Sequence, residues 1–363
     1  LTSRGWLHYN DLVDFDLIAQ LDTETGKLRW GPLKDLHVYP NVKEELVVAE
    51  VGKSKMMLTK NHQALVQTRP YNRLKWVNAT LLHNRSRIPV AADWENGEFL
   101  PSPSPIFAEL LGWYLAEGSI IRSRKTGQPL RDYLEITQSD SANPLKVQRI
   151  RSLLTSLHAN FREYQYAQKK VAFRIRGITA SDILDEVGTE KKHIPPNALL
   201  WDRGAVQGLV DGMVGGDGSV DSKGRTTFTQ SDKKMCDDFQ ALLYRLGIAS
   251  TVISTTNSKA TKPHWHVYTQ AKRVKDVRNI RTEQYSGTVW CPETDTHTWV
   301  ARKNNSVFIT GNCHKVLWTR AVWDVLRDDG VFFLNAADSY IGSPIGSFNG
   351  GAAVAGRPAM EGY

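Results

Sequence analysis

The sequence predicts an α+β fold in which a duplicated helix-and-strand unit interrupts a β-rich scaffold. Three observations carry this. Residues 1 to about 100 read as strands and hairpins; residues 101–281 contain two blocks that recur in the same order; and residues 282–312 return to strand-like sequence. A last segment, 313–363, has a composition of its own.

The elements follow in order. Residues 17–21 and 27–30 flank the turn-rich Asp22-Thr23-Glu24-Thr25-Gly26, and apolar runs at 45–51 and 64–67 follow, separated by polar or glycine-containing turns. Pro101-Ser102-Pro103-Ser104-Pro105 forms a stiff boundary. Beyond it, the segment 110–119 has a counterpart at 210–219, and Ile136-Thr137-Gln138-Ser139-Asp140 recurs as Phe228-Thr229-Gln230-Ser231-Asp232. The first pair lies 100 residues apart and the second 92, as expected for one unit used twice with a loop of different length. Each second block precedes an amphipathic helix, marked by Leu145, Ile150, Leu153, Leu154 and Leu157 in one copy and by Phe239, Leu242, Leu243 and Leu246 in the other. The repeats are expected over about 104–200 and 204–281. Residues 306–310 make a strand after the turn Lys303-Asn304-Asn305, and 319–334 read as a helix, an Asp-Asp-Gly turn and an apolar strand before a Gly/Ala/Ser-rich tail.

Composition narrows the classes of function. Hydrophobic residues make up 41% and charged residues 23%, the proportions of a globular protein, and no apolar run approaches a membrane span. Three cysteines without metal-type spacing fit neither a disulfide framework nor a zinc module, so a reducing cytoplasm is expected. Cys236 shares a helix face with Phe239, Leu243 and Leu246 and reads as core filler. A net charge of +8 admits a polyanionic partner such as DNA.

The repeats also bring carboxylates into register. Gly112 and Ala116 in one copy, and Gly212 and Gly216 in the other, place small residues four apart on one helix face, where two backbones can approach closely. Glu117 and Asp217 each end such a stretch and are each followed by Gly, so packing the helices together would make the two acids converge. Close carboxylates raise each other's pKa unless a cation sits between them, and Mg²⁺ answers the oxygen-only donor set. These segments resemble the two-motif LAGLIDADG homing endonucleases. The resemblance implies two αββαββα halves about a pseudo-two-fold axis, a saddle of sheets over double-stranded DNA, and Glu117 and Asp217 as the acids that bind metal and catalyse phosphodiester hydrolysis. It further matches Lys192-His193-Ile194-Pro195 to the family's Lys-x-Ile-Pro block. It sets Gln138 and Gln230 at positions that line the metal and water network. The basic catalytic residue has no motif here, and Lys169, Lys170 and Lys259 are open candidates.

The flanks resemble the Hint splicing domain of inteins, a horseshoe-like all-β fold. Thr59-Lys60-Asn61-His62 matches the Thr-x-x-His block, and residues 291–300 and 307–313 match the two C-terminal blocks. The resemblance implies cyclisation of the Asn312 amide onto its own carbonyl with release of Cys313, a thiol that would first capture the upstream acyl group. His62, with Thr59, would activate the upstream amide, and His297 would assist Asn312. Three positions depart from the usual pattern. Gly311 stands where most inteins have His, which shifts the burden to His297. Cys291 stands where many have Asp and is open to three readings: a proton relay, a transient thioester or a structural thiol. Cys291 with Thr310 resembles inteins that start from an internal cysteine, but those carry Trp where this chain has Ala64. The ordinary route is therefore expected, with its first Cys or Ser and the N-extein upstream of Leu1.

Residues 325–335 and 338–340 are similar to DNA methyltransferases of the adenine-N6/cytosine-N4 type, which suggests that 313–363 are a C-extein fragment of such a host. No Asp-Pro-Pro-Tyr motif is present, so the fragment is not expected to methylate anything. The combined expectation is a splicing element and Mg²⁺-dependent endonuclease. It would be a monomer in a bacterial or phage-infected cytoplasm, acting on its exteins in cis and on the intein-less host site. The alternatives are a methyltransferase carrying an inactive DNA-binding insertion and a free-standing endonuclease.

Overall fold

The computed structural model describes residues 1–52, 54–69, 71–95, 100–123, 131–166, 169–255 and 263–311. The expectations for Asn312, Cys313, Lys259 and the 313–363 segment fall outside these residues. No described helix is long and apolar enough to cross a membrane.

The N-terminal part is β-rich: β1 (Leu17–Leu21), β2 (Leu28–Pro32), β3 (Asp35–Val51), β4 (Ser54–Leu58), β5 (Gln63–Gln67), β6 (Leu74–Asn78) and β7 (Arg87–Pro89). The first repeat follows as α1 (Pro105–Glu117), β8 (Gly118–Ser123), β9 (Arg131–Ser139), α2 (Pro144–Ser156), β10 (Asn160–Tyr166), β11 (Lys170–Arg176) and α3 (Ile178–Val187). The second runs α4 (Arg203–Asp217), β12 (Gly218–Val220), β13 (Thr226–Gln230), α5 (Lys233–Arg245), β14 (Ala249–Thr255) and β15 (His264–Gln270). The chain ends its described course in β16 (Val274–Glu293), β17 (Thr298–Lys303) and β18 (Ser306–Gly311).

Topology reproduces the duplication that the sequence predicts. The first repeat's sheet has the order β8-β9-β11-β10, and the second's begins β12-β13-β15-β14, the same pattern of hairpins. Registers match as well: Gly118 pairs with Ile136, and Gly218 with Phe228. Local chemistry starts the helices where it should. Ser104 and Asp202 cap α1 and α4 by accepting from Phe107 N and Ala205 N, and Pro105 opens α1 with the fixed φ of a first helical residue. The stiff segment at 101–105 therefore doubles as a helix start.

Four expectations need correction. The second repeat has no third helix among the described residues: after β15 the chain enters β16, which pairs with β7 over Val274–Asp276 and with β3 from Val277 to Glu293. The ladder's backbone hydrogen bonds satisfy the groups that a helix would otherwise satisfy internally. Residues 281 and 282, where the repeat unit was expected to give way to the scaffold, both lie inside this strand. Leu145, expected on the buried stripe of α2, is 78% exposed. It lies five residues before Ile150, well off that helix face, and Val147 completes the stripe with Ile150 and Leu154 instead. The scaffold also does not stand apart from the second repeat. Thr251 of β14 pairs with Ser306 of β18, so β18 and β17 extend that repeat's sheet to six strands.

Candidate functional site

Close packing of α1 on α4 builds the first site. A Cβ at Gly112 would lie 2.3 Å from the Leu209 carbonyl oxygen, and one at Gly212 would lie 2.1 Å from that of Glu109, so the two backbones touch. One turn on, a Cβ at Gly216 would meet the Ala116 Cβ at 2.2 Å and the Glu117 Cγ at 3.1 Å. The stripes of small residues therefore face each other, and both helices end at the same place with Glu117 and Asp217 side by side.

The surroundings of the acids are polar and partly closed. Burial, and then the neighbouring Glu117, push Asp217 up to about 6; a hydrogen bond from Gln230 Nε2 and the charges of Lys192 and Lys146 act in the opposite sense. Lys192 Nζ donates to the carbonyls of Tyr114 at 3.2 Å and Gly118 at 2.9 Å, which ties the Lys-x-Ile-Pro segment to the end of α1. Burial lowers the pKa of this ammonium, while Asp217 and Glu117 work to hold it charged. Gln138 occupies the register position equivalent to Gln230: each lies two residues beyond the partner of the glycine that follows the acid. Its Nε2 is buried and has no hydrogen-bond partner.

This donor set suits a hard divalent cation. Two carboxylates supply the oxygens, one of them holds its proton unusually well, and a buried amide nearby lacks a partner for whatever fills the space. Lys146, at the start of α2, joins the site without having been anticipated; a lysine in a first helical turn carries no sequence signal. Lys169 and Lys170 are exposed at the Ser139 end of the β9–β11 ladder and are not part of this cluster.

Replacing Lys192 by Met is expected to raise the Asp217 pKa above 6, because it removes a nearby cation and leaves two carbonyls without their donor. An unchanged NMR titration midpoint for Asp217 would show that Lys192 does not act on it.

The flanking β structure builds a second site. Thr59, His62, Cys291 and Thr310 all line one cavity of about 730 Å³, together with Leu1 and Trp299. His62 Nε2 shares a hydrogen bond of 2.6 Å with Thr310 Oγ1, and the His62 amide donates to Thr59 O at 3.0 Å. Cys291 is 3% exposed. The Leu1 nitrogen donates to Val300 O at 2.7 Å. Gly311 has no room for a side chain: a Cβ would lie 2.4 Å from Gln63 O and 2.6 Å from the Trp76 ring. His297 is not on this cavity. It occupies an exposed turn with φ of 55°, one residue before Thr298, the ladder partner of Gly311. Cys236 is fully buried, and desolvation pushes its thiol up to about 12, in keeping with core filler.

Comparison with known proteins adds the following. Residues 205–281 match the family model of the LAGLIDADG-like domain. The ribonucleoside-diphosphate reductase subunit beta of Aquifex aeolicus (strain VF5) is 23% identical over 371 residues, covering 94% of this chain and 53% of that protein. The chain thus spans about half the length of the curated relative it matches. Among solved structures, variants of the homing endonuclease I-DmoI align with a TM-score of 0.37 at 14% identity, over 46% of this chain and 89% of that one. I-DmoI in complex with DNA and Ca aligns at 0.35 and 15%, over 46% and 83%. The N-terminal LAGLIDADG domain of DUF199/WhiA aligns at 0.31 and 12%, over 48% and 80%. Residues 205–281, which form most of the second of the two repeats, are thus similar to the LAGLIDADG-like domain.

Proposed function

We propose that this protein is a Mg²⁺-dependent, site-specific DNA endonuclease carried inside a protein-splicing element. The observation that carries the nuclease reading is the backbone contact of α1 and α4, which sets Glu117 and Asp217 against each other at one helix end. The two carboxylates would hold the ion, and Gln230 and Lys192 would orient and partly neutralise Asp217. Gln138 offers a buried donor to the reacting phosphate or its water. When bound, the cation would stabilise charge on the phosphate oxygens and favour a hydroxide-like nucleophile. The reading is tested on double-stranded DNA carrying the host sequence joined across the element's insertion point. The full chain should linearise it in Mg²⁺, and the Glu117→Gln/Asp217→Asn variant should not. Equal cleavage by both proteins would sink it.

The splicing reading rests on the second cavity, in which Thr59, His62, Cys291 and Thr310 converge just ahead of Asn312 in the chain. Asn312 would cyclise onto its carbonyl and release the segment that begins at Cys313. The absence of space at Gly311 accounts for a missing histidine there and leaves His297, beside the same ladder end, as the group to assist. The likeness to the reductase subunit spans 94% of this chain, so it reaches into 313–363, and it covers 53% of that protein, which supports an element carried inside a larger chain. The assignment of 313–363 to a DNA methyltransferase rests on residues 325–340 alone.

His297→Ala is expected to slow release of residues 313–363 by about 10²-fold, the usual contribution of a general acid or base. Asn312→Ala should stop it. Time-resolved intact mass reads both, and release that persists at the normal rate in Asn312→Ala would refute cyclisation.

A further inference from the structure

Away from both sites, the start of β3 and the end of β16 form a small array of ligand-type side chains. Asp35 pairs directly with Glu293, and His37 with Cys291, so the antiparallel register sets Asp35, His37 and Glu293 on one face of the ribbon. His37 Nε2 is 3.4 Å from Asp35 Oδ2 and 3.2 Å from Glu293 Oε2, and one donor atom from each of the three lies within 4.8 Å of the others. Donors bound to one tetrahedral ion at zinc–nitrogen and zinc–oxygen lengths stand about 3.3 Å apart, which the two separations from His37 match. Asp35 Oδ1 accepts from Leu36 N at 2.7 Å, which fixes the carboxylate with Oδ2 toward the imidazole. Carboxylates placed directly opposite in a ladder repel, and a cation between them removes that cost. The adjoining lysine, Lys34, is ion-paired with Asp295 at 2.7 Å and also lies close enough to Glu293 to interact with its charge.

We propose that Asp35, His37 and Glu293 form a binding site for a transition-metal dication of the Zn²⁺ type, with the fourth position open to solvent. An imidazole donor and tetrahedral spacing favour Zn²⁺ over Mg²⁺, which takes six oxygens in an octahedron. The site is independent of the nuclease and splicing readings and bridges two strands far apart in sequence, so occupancy would clamp the ribbon end that carries Cys291.

The test is calorimetric titration of the full chain with Zn²⁺, and cobalt substitution followed by visible absorption. Both use the Glu117→Gln/Asp217→Asn background so that the other acids cannot compete. One equivalent should bind, His37→Gln should abolish it, and Asp35→Asn should weaken it at least tenfold with an unchanged circular dichroism spectrum. Asp35 is mostly exposed, so that variant serves if His37→Gln folds poorly. Stoichiometric binding that survives all three changes, Glu293→Gln included, would overturn the site. A thiolate-to-cobalt band that vanishes in Cys291→Ser would overturn the ligand set, and no binding at all would leave His37 as an ordinary ion-pair partner of the two acids.

Discussion

Converting Glu117 to Gln and Asp217 to Asn together is expected to lower Mg²⁺-dependent DNA cleavage by at least about 10³-fold, the scale of losing electrostatic stabilisation at a reacting phosphate. The same change should stabilise the metal-free protein near pH 8. The sign follows from the raised pKa of Asp217. An unfolded aspartate ionises near 3.8, whereas in the folded chain burial and Glu117 hold the proton up to about 6. Between these values the folded state binds the extra proton, so this group favours folding most at low pH. That contribution is lost as pH rises through about 6, leaving a deficit on the order of 2 kcal/mol above pH 7. Thermal melts of the metal-free chain should therefore fall between pH 5 and pH 7 by more than those of the double variant. Added Mg²⁺ should recover stability above pH 6, where Asp217 is ionised, and little below pH 5. A double variant that is less stable than the parent at pH 8 would mean that the two carboxylates are not held against each other.

Gly212→Val is expected to be the most damaging single change in the α1–α4 contact. Even the first added carbon would sit 2.1 Å from the Glu109 carbonyl oxygen and 2.8 Å from the Trp113 nitrogen. Both are backbone atoms inside a helix and cannot swing aside, so the helices must separate. Overpacking of a close-packed contact costs about 1–3 kcal/mol and sometimes more, and the gain of roughly 1 kcal/mol from replacing a helical glycine by alanine does not offset it. We expect Gly212→Ala to lose 1–2 kcal/mol in urea denaturation and Gly212→Val to lose at least about 3 kcal/mol. Cleavage should fall further than stability: an acid displaced by about 1 Å from its partner costs on the order of 10²-fold even in a folded enzyme. A Gly212→Val chain with parental stability and activity would exclude the close crossing of α1 and α4.

Much of the architecture can be read from local pattern. The small-residue faces at Gly112/Ala116 and Gly212/Gly216, the acid at the end of each, and the recurrence of the block around Gln138 at Gln230 are all visible without coordinates. So are the hairpin strands at 17–21 and 27–30 and the Asn304-Asn305 turn, whose residues have φ of 48° and 60°. These features depend on neighbours within a few residues, where periodicity and turn chemistry act.

Other features stayed hidden because they depend on partners remote in sequence. Nothing near Val274 announces that twenty residues will extend as one strand, since that strand is defined by β3 and β7 on its two sides. Nothing near His37 announces Glu293, 256 residues away. His297 could be chosen by motif, but its place outside the cavity is set by a left-handed turn that joins β16 to β17. The sequence by itself determined the duplicated unit, its paired acids and the order of Thr59, His62, Cys291 and Thr310 at its flanks, because each is a local pattern of side chains. The tertiary structure alone decided how closely the two helices meet, which polar groups share a cavity and which strands form the Asp35–Glu293 ribbon end. The reason is that these are outcomes of chain closure over long separations, where one residue's environment is supplied by backbone that its neighbours do not encode.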